Sequence, residues 1–159
     1  MVSTPPKLEQ DLLRLRCRRI AMIMETQSGF VPTNHVLVVD DDIELALTYQ
    51  ALLQVHGYRV STAADGAQAL RMVLNGDVDA IVCDLHMPEL TGDLFYAEVG
   101  RARPQLLKRF IFVTGNTDAP LYETFLNSVK APVLCKPVSI DHLLGKLKAV
   151  LETEAGTAR

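Results

Sequence analysis

Apolar residues in this chain fall into short continuous runs that alternate with longer stretches of helical spacing. Val36-Leu37-Val38-Val39 is the first such run, rich in β-branched side chains, as a strand covered on both faces requires. Three aspartates end it. Leu45, Leu52, Leu53 and Val55 then recur at intervals that predict a helix over Ile43–His56, with Gly57 as its C-terminal cap. Tyr58–Thr62 reads as a short strand, and Asp65 is placed to cap a helix running through Ala69, Leu70 and Val73 to Asn75-Gly76. The alternation repeats three more times. Strand Ala80–Cys83 leads through a loop punctuated by Pro88 and Gly92 to a helix around Leu94–Arg101. Strand Phe110–Val113 leads to a helix near Pro120–Ser128. Strand Pro132–Cys135 leads to a last helix, started by Ser139 or Asp141, with Leu143, Leu144, Leu147, Val150 and Leu151 on its apolar face.

Apolar strands alternating with helices predict an α/β class: a five-stranded parallel sheet, right-handed crossovers and helices on both faces. The pattern breaks across Thr26–Asn34, a mixture of turn residues without hydrophobic period, which reads as a linker. Upstream, Leu8, Leu12, Leu15, Ile20 and Ile23 recur among arginines and suggest an amphipathic helix. The expected organisation is an N-terminal extension and linker over 1–33, one domain over 34–153 and a polar tail over 154–159.

Charge sharpens this division. The 159 residues carry a net charge of -3, but Lys7, Arg14, Arg16, Arg18 and Arg19 outnumber Glu9, Asp11 and Glu25 in the extension. An acidic domain therefore follows a basic leader, which argues against a wholesale nucleic-acid binder. The arginines are read as a solvated helix face in preference to a nucleic-acid or membrane grip, since a charge cluster is a motif of low specificity. No apolar run nears the roughly 18 residues that span a bilayer. Met1–Leu13 lacks the apolar core of a signal peptide, so a cytoplasmic location is expected. The three cysteines have no CxxC or Cys/His metal spacing and fit a reducing compartment, with Cys83 and Cys135 as small core residues.

In an open parallel sheet, functional groups gather beyond the carboxyl ends of the strands. Here strand one ends in Asp40, Asp41 and Asp42, strand three in Asp84, strand four in Thr114 and strand five in Lys136. Clustered carboxylates repel one another at low dielectric and call for a cation. An all-oxygen donor set suits a hard divalent ion, and magnesium suits a site that handles phosphate. One carboxylate could then attack a phosphoryl group while Lys136 and Thr114 receive its oxygens. Singly, each residue has a plainer explanation. Asp42 suits a helix N-cap, Lys136 a solvated strand end, Thr114 a β-former.

The succession Val-Val-Asp-Asp-Asp, Cys-Asp-Leu-His-Met-Pro, Phe-Val-Thr-Gly and Cys-Lys-Pro resembles the two-component response-regulator receiver domain, over about His35 to Glu152. The resemblance implies a flavodoxin-like sheet of order 2-1-3-4-5. It implies that Asp84 is the phosphoacceptor, taking its phosphoryl group from a phosphohistidine. Asp40 and Asp41 match the acidic pair around magnesium, and the backbone carbonyl of His86 matches a further metal ligand. Thr114 matches the switch hydroxyl and Lys136 the lysine that pairs with Asp84 or its phosphate. Pro137 is expected after a cis bond, and Gly92 at a turn needing positive φ. His86 and Asn116, two residues after Asp84 and Thr114, flank the route for attacking water.

The chain departs from the family pattern three residues before Lys136, where Val133 replaces the usual Tyr or Phe. The aromatic part of the familiar switch is therefore missing. The implied partners are a sensor histidine kinase or phosphotransfer protein and a downstream protein, with no DNA-binding effector domain after the last helix. The expected form is a receiver standing alone or attached to a hybrid kinase, not a classical enzyme, with homodimerisation through residues 1–33 as a further expectation. Two rivals remain. One is a phosphorylation-independent adaptor. The other is a haloacid-dehalogenase-like phosphatase, whose Asp-x-Asp-x-Thr/Val motif Asp40-Asp41-Asp42-Ile43-Glu44 does not complete.

Overall fold

The computed structural model describes residues 34–115 and 120–152. The helix expected in residues 1–33, Asn116 and the tail over 154–159 lie outside the described residues. In chain order the elements are β1 (His35–Val39), α1 (Ile43–Val55), β2 (Arg59–Ala63), α2 (Gly66–Asn75), β3 (Ala80–Asp84), α3 (Gly92–Ala102), a 3-10 turn (Pro104–Arg109), β4 (Phe110–Thr114), α4 (Pro120–Ser128), β5 (Val133–Cys135) and α5 (Ile140–Glu152). The strands form one parallel sheet in the order β2-β1-β3-β4-β5. The expected fold and strand order hold. Boundaries move by one or two residues, and the 3-10 turn, opened by Pro104, carries no periodic signal that would have foretold it.

Period-two alternation sends each strand's side chains into two cores. Leu37, Val39, Ile81, Cys83, Phe110 and Phe112 face α2, α3 and α4, packing with Ala69, Val73, Phe95, Val99 and Tyr122. Val36, Val38, Ala80, Val82, Ile111 and Val113 face α1 and α5, packing with Tyr49, Leu53, Leu143 and Leu147. Aromatic rings concentrate on the first side, where Tyr96, Phe110, Phe112 and Phe125 pack ring to ring. Burial of large side chains at roughly 2–3 kcal/mol each makes these two layers the main source of stability.

The helix signals work as the sequence suggested. Asp42 and Asp65 cap α1 and α2, accepting from the backbone N–H groups of Leu45 and Gln68. Gly57 follows α1 at φ 87, where a Cβ would be strained. Two expectations fail. Gly92 does not have positive φ; the left-handed residue of that loop is Glu89, at φ 65. What requires glycine at 92 is proximity, since a Cβ there would lie 2.5 Å from the backbone oxygen of Asp84 and 2.9 Å from the Cα of Leu85. Cys135, expected in the core, is exposed, while Cys83 is buried. The end of a three-residue edge strand offers no second layer to cover it.

Candidate functional site

β1 and β3 are adjacent, and they deliver Asp40 and Asp84 side by side at the carboxyl edge of the sheet. Both carboxylates are buried, 3% and 6% exposed. Lys136, just beyond β5, reaches between them. Its Nζ donates to Asp40 Oδ2 at 2.8 Å and to Asp84 Oδ2 at 2.9 Å. The second oxygen of each aspartate takes a backbone donor: Asp40 Oδ1 accepts from Asp42 N–H at 2.9 Å, and Asp84 Oδ1 from His86 N–H at 3.0 Å. The backbone therefore orients the two carboxylates, and the lysine neutralises only part of their charge.

Asp41 is exposed and completes an acidic triplet. Oxygens of Asp40, Asp41 and Asp84 all lie within 4.8 Å of one another. Among the described residues, three carboxylates stand against one ammonium, and the donors are all oxygen, so the residues present fit a hard divalent cation such as magnesium. Burial pushes the Asp40 carboxyl above its ordinary 3.8, although Lys136 and the Asp42 N–H pull it back. For Lys136, burial opposes the charge, but the bonds to Asp40 and Asp84 outweigh it and hold the ammonium above 10.5.

Thr114 ends β4 with its side chain fully buried, and its carbonyl accepts from the Lys136 N–H at 2.8 Å, which ties the ends of β4 and β5 together. The Lys136–Pro137 bond is cis, as expected. His86 is exposed on the loop after β3, in keeping with a role through its backbone. Asp42 caps α1 with its side chain and is not among the three clustered carboxylates. Cys83 lies beside the site but is sealed in the core, where burial, then the charge of Asp84, pushes its thiol up and leaves it inert.

Residues Asp40, Asp41, Asp84, His86, Thr114 and Lys136 thus fall at one edge. One neighbour was missed from sequence. Tyr122 of α4 is 5% exposed, and its ring meets that of His86 edge-on, centroids 4.8 Å apart at 77°. It belongs to no motif, and only its place on the inner face of α4 could have marked it. His35, which the sequence left without a role, joins the opposite edge of the sheet: its ring bonds the carbonyl of Asp77 and the hydroxyl of Ser61.

A family model described as the response regulator receiver domain matches residues 36–148. The chain is 33% identical over 121 residues to sensor kinase CckA of Brucella abortus, a match covering 75% of this chain and 13% of the kinase. It is 29% identical over 123 residues to transcriptional regulatory protein KdpE of Mycobacterium tuberculosis, covering 77% of this chain and 53% of that protein. The chain therefore spans about half of one relative and far less of the other. Among solved structures, a CheY-like receiver domain protein from Methanospirillum hungatei matches with a TM-score of 0.69 at 27% identity, covering 76% of this chain and 94% of that one. TrrA from Thermotoga maritima, in complex with Mg(2+)-BeF, matches with a TM-score of 0.66 at 28% identity, covering 75% and 100%. Sheet order, the acidic triplet beside a strand-end lysine, and the family match over residues 36–148 agree, and the chain belongs to the response regulator receiver domain family.

Proposed function

We propose that this chain is a phosphoryl-accepting switch of a two-component relay, in which Asp84 takes a phosphoryl group from the phosphohistidine of a sensor kinase or phosphotransfer protein. The observation that carries the reading is the Asp40–Lys136–Asp84 arrangement beside Asp41: a fixed carboxylate nucleophile, an ammonium within 2.9 Å of it and an uncompensated acidic triplet. A structural ion pair needs no third carboxylate.

Asp40, Asp41 and Asp84, with the carbonyl of His86, would hold magnesium, which supplies positive charge to the oxygens of an incoming phosphoryl group. An Asp84 carboxylate oxygen attacks phosphorus; the new P–O bond forms as the P–N bond to the donor imidazole breaks, and that imidazole takes up a proton from solvent. Lys136 moves its contact from Asp84 to the phosphoryl oxygens, and the Thr114 hydroxyl donates to another. The His86 N–H orients the carboxylate for the attack. The protein acts on its own side chain and turns over no separate substrate, so it is a signalling module more than an enzyme. Residues 34–153 form the receiver, 1–33 an extension and 154–159 a tail, working in the cytoplasm. Among the described residues no helix is long and apolar enough to cross a membrane.

Incubation with magnesium and acetyl phosphate, followed by intact mass measurement, tests this directly. One added phosphoryl group is expected, abolished by chelator and absent from Asp84→Ala. If neither a mass increase nor magnesium-dependent beryllofluoride binding is seen, the proposal fails and the phosphorylation-independent adaptor is favoured, whose partner contacts persist without the aspartate.

A further inference from the structure

We infer that Tyr122 is a positioning residue for this site, holding the His86 peptide through its side chain and coupling the state of Asp84 to α4. The inference rests on the phosphoacceptor reading above. His86 is the hinge between two contacts of different kinds. Its N–H donates to Asp84 Oδ1 at 3.0 Å, and its ring stands edge-on against Tyr122 at 4.8 Å. In the loop that carries it, Leu85 and Met87 are buried while His86, Pro88 and Glu89 are exposed, and Glu89 takes a left-handed φ of 65. Tyr122, by contrast, is anchored, 5% exposed in the core that includes Phe95, Phe110 and Phe112. An exposed loop residue is thereby pinned by a buried ring from another element.

The pinned residue carries both contacts: its N–H, in the peptide with Leu85, bonds one oxygen of the nucleophile, and its carbonyl, in the peptide with Met87, is the proposed backbone ligand of the cation. A ring that fixes the peptide therefore acts as an outer support, and supports of this kind set ligand orientation. Coupling is reciprocal. A phosphoryl group or its mimic at Asp84 must alter the Asp84–His86 bond, and the displacement reaches the first turns of α4 through Tyr122. Val133, half-buried at the place where the family usually carries an aromatic, cannot provide that link.

The test uses the full chain, titrated with magnesium and then with magnesium plus beryllofluoride, read from the His86 amide and the Tyr122 ring signals by NMR. Tyr122→Leu is expected to weaken magnesium binding about tenfold, the low end of losses for outer supports. Tyr122→Phe, which keeps the ring, is expected to restore it. His86→Ala should give a similar loss, and His86→Ala with Tyr122→Leu no more than either alone, because both remove one contact. Beryllofluoride should shift the Tyr122 ring signals in the wild type and leave α4 unmoved in His86→Ala. Wild-type affinity in Tyr122→Leu, failure of Tyr122→Phe to rescue, or losses that multiply in the double variant would each overturn the inference. A wild-type chain that binds neither magnesium nor beryllofluoride would instead overturn the phosphoacceptor reading. Tyr122→Leu is compared only as a melted-and-refolded, fully cooperative species; should it not fold, His86→Ala and Tyr122→Phe decide the matter alone.

Discussion

The two ends of the sheet are both crowded with polar groups, yet they solve the problem of burying them in opposite ways. At the amino end the donors are met locally. His35 N–H donates to Asp79 Oδ2 at 2.7 Å, the Asp79 N–H donates back to the His35 carbonyl at 2.8 Å, and Arg59 and Arg103 donate to the carbonyls of Asp77 and Gly76. Backbone oxygens serve most of these donors, so nothing further is required. At the carboxyl end, Asp40 and Asp84 share one ammonium, and Asp41 has no charge partner among the described residues. Polarity alone does not mark a functional edge; an edge whose charges fail to close does.

Three experiments bear on that contrast. The largest effect is expected from Lys136→Ala, which leaves Asp40 and Asp84 facing each other without the cation. In urea titrations at neutral pH it should cost about 3 kcal/mol, the lower end for breaking a buried pair. Millimolar magnesium should recover part of that loss, since a ligand of the folded state stabilises it. A loss untouched by magnesium would mean that the lysine is only a structural strut.

His35→Ala probes the other end. Losing the ring's bonds to Asp77 and Ser61, in a half-exposed position, should cost about 1 kcal/mol. The loss should be the same with and without magnesium, with acetyl phosphate labelling unchanged. A change in labelling would show that the two ends are coupled and would dissolve the contrast.

The smallest effect concerns pH. Burial holds the Asp40 carboxyl above 3.8, so the folded state binds the proton more tightly than the unfolded chain. That contribution to stability is fully present below 3.8 and is lost as pH rises through the raised value. Lys136 opposes the shift, so the net effect is modest. Without magnesium, the stability advantage of the wild type over Asp40→Asn should shrink between acid and neutral pH. An advantage that grows with pH would reverse the sign assigned to burial.

The fold was legible because apolar runs and caps act locally: Val36–Val39, Asp42, Gly57 and Asp65 each declare themselves within a few residues. Much of the site was legible for a related reason, since parallel strands bring their carboxyl ends together whatever lies between them. Gly92 was located correctly for the wrong cause, because close approach to the Asp84 carbonyl is a tertiary fact that leaves no trace in turn chemistry. Cys135 was misplaced because an apolar run does not reveal that it ends at the bare edge of a sheet. Tyr122 was invisible for the same reason as Gly92. Its partner, His86, lies in a loop with which it shares no periodicity.

Lys136 meets Asp40 across 96 residues of chain and Asp84 across 52. With β3 and β4 between β1 and β5, the side chain bridges part of a span of three strand spacings, roughly 14 Å. Such contacts require the costly closure of long loops. The edge strand that carries the lysine has only three residues. A molecule whose β5 has frayed would keep its aspartates but lack the ammonium that balances them. On the proposed reading, competence to accept a phosphoryl group is tied to completed assembly: a half-folded chain presents carboxylates that repel one another.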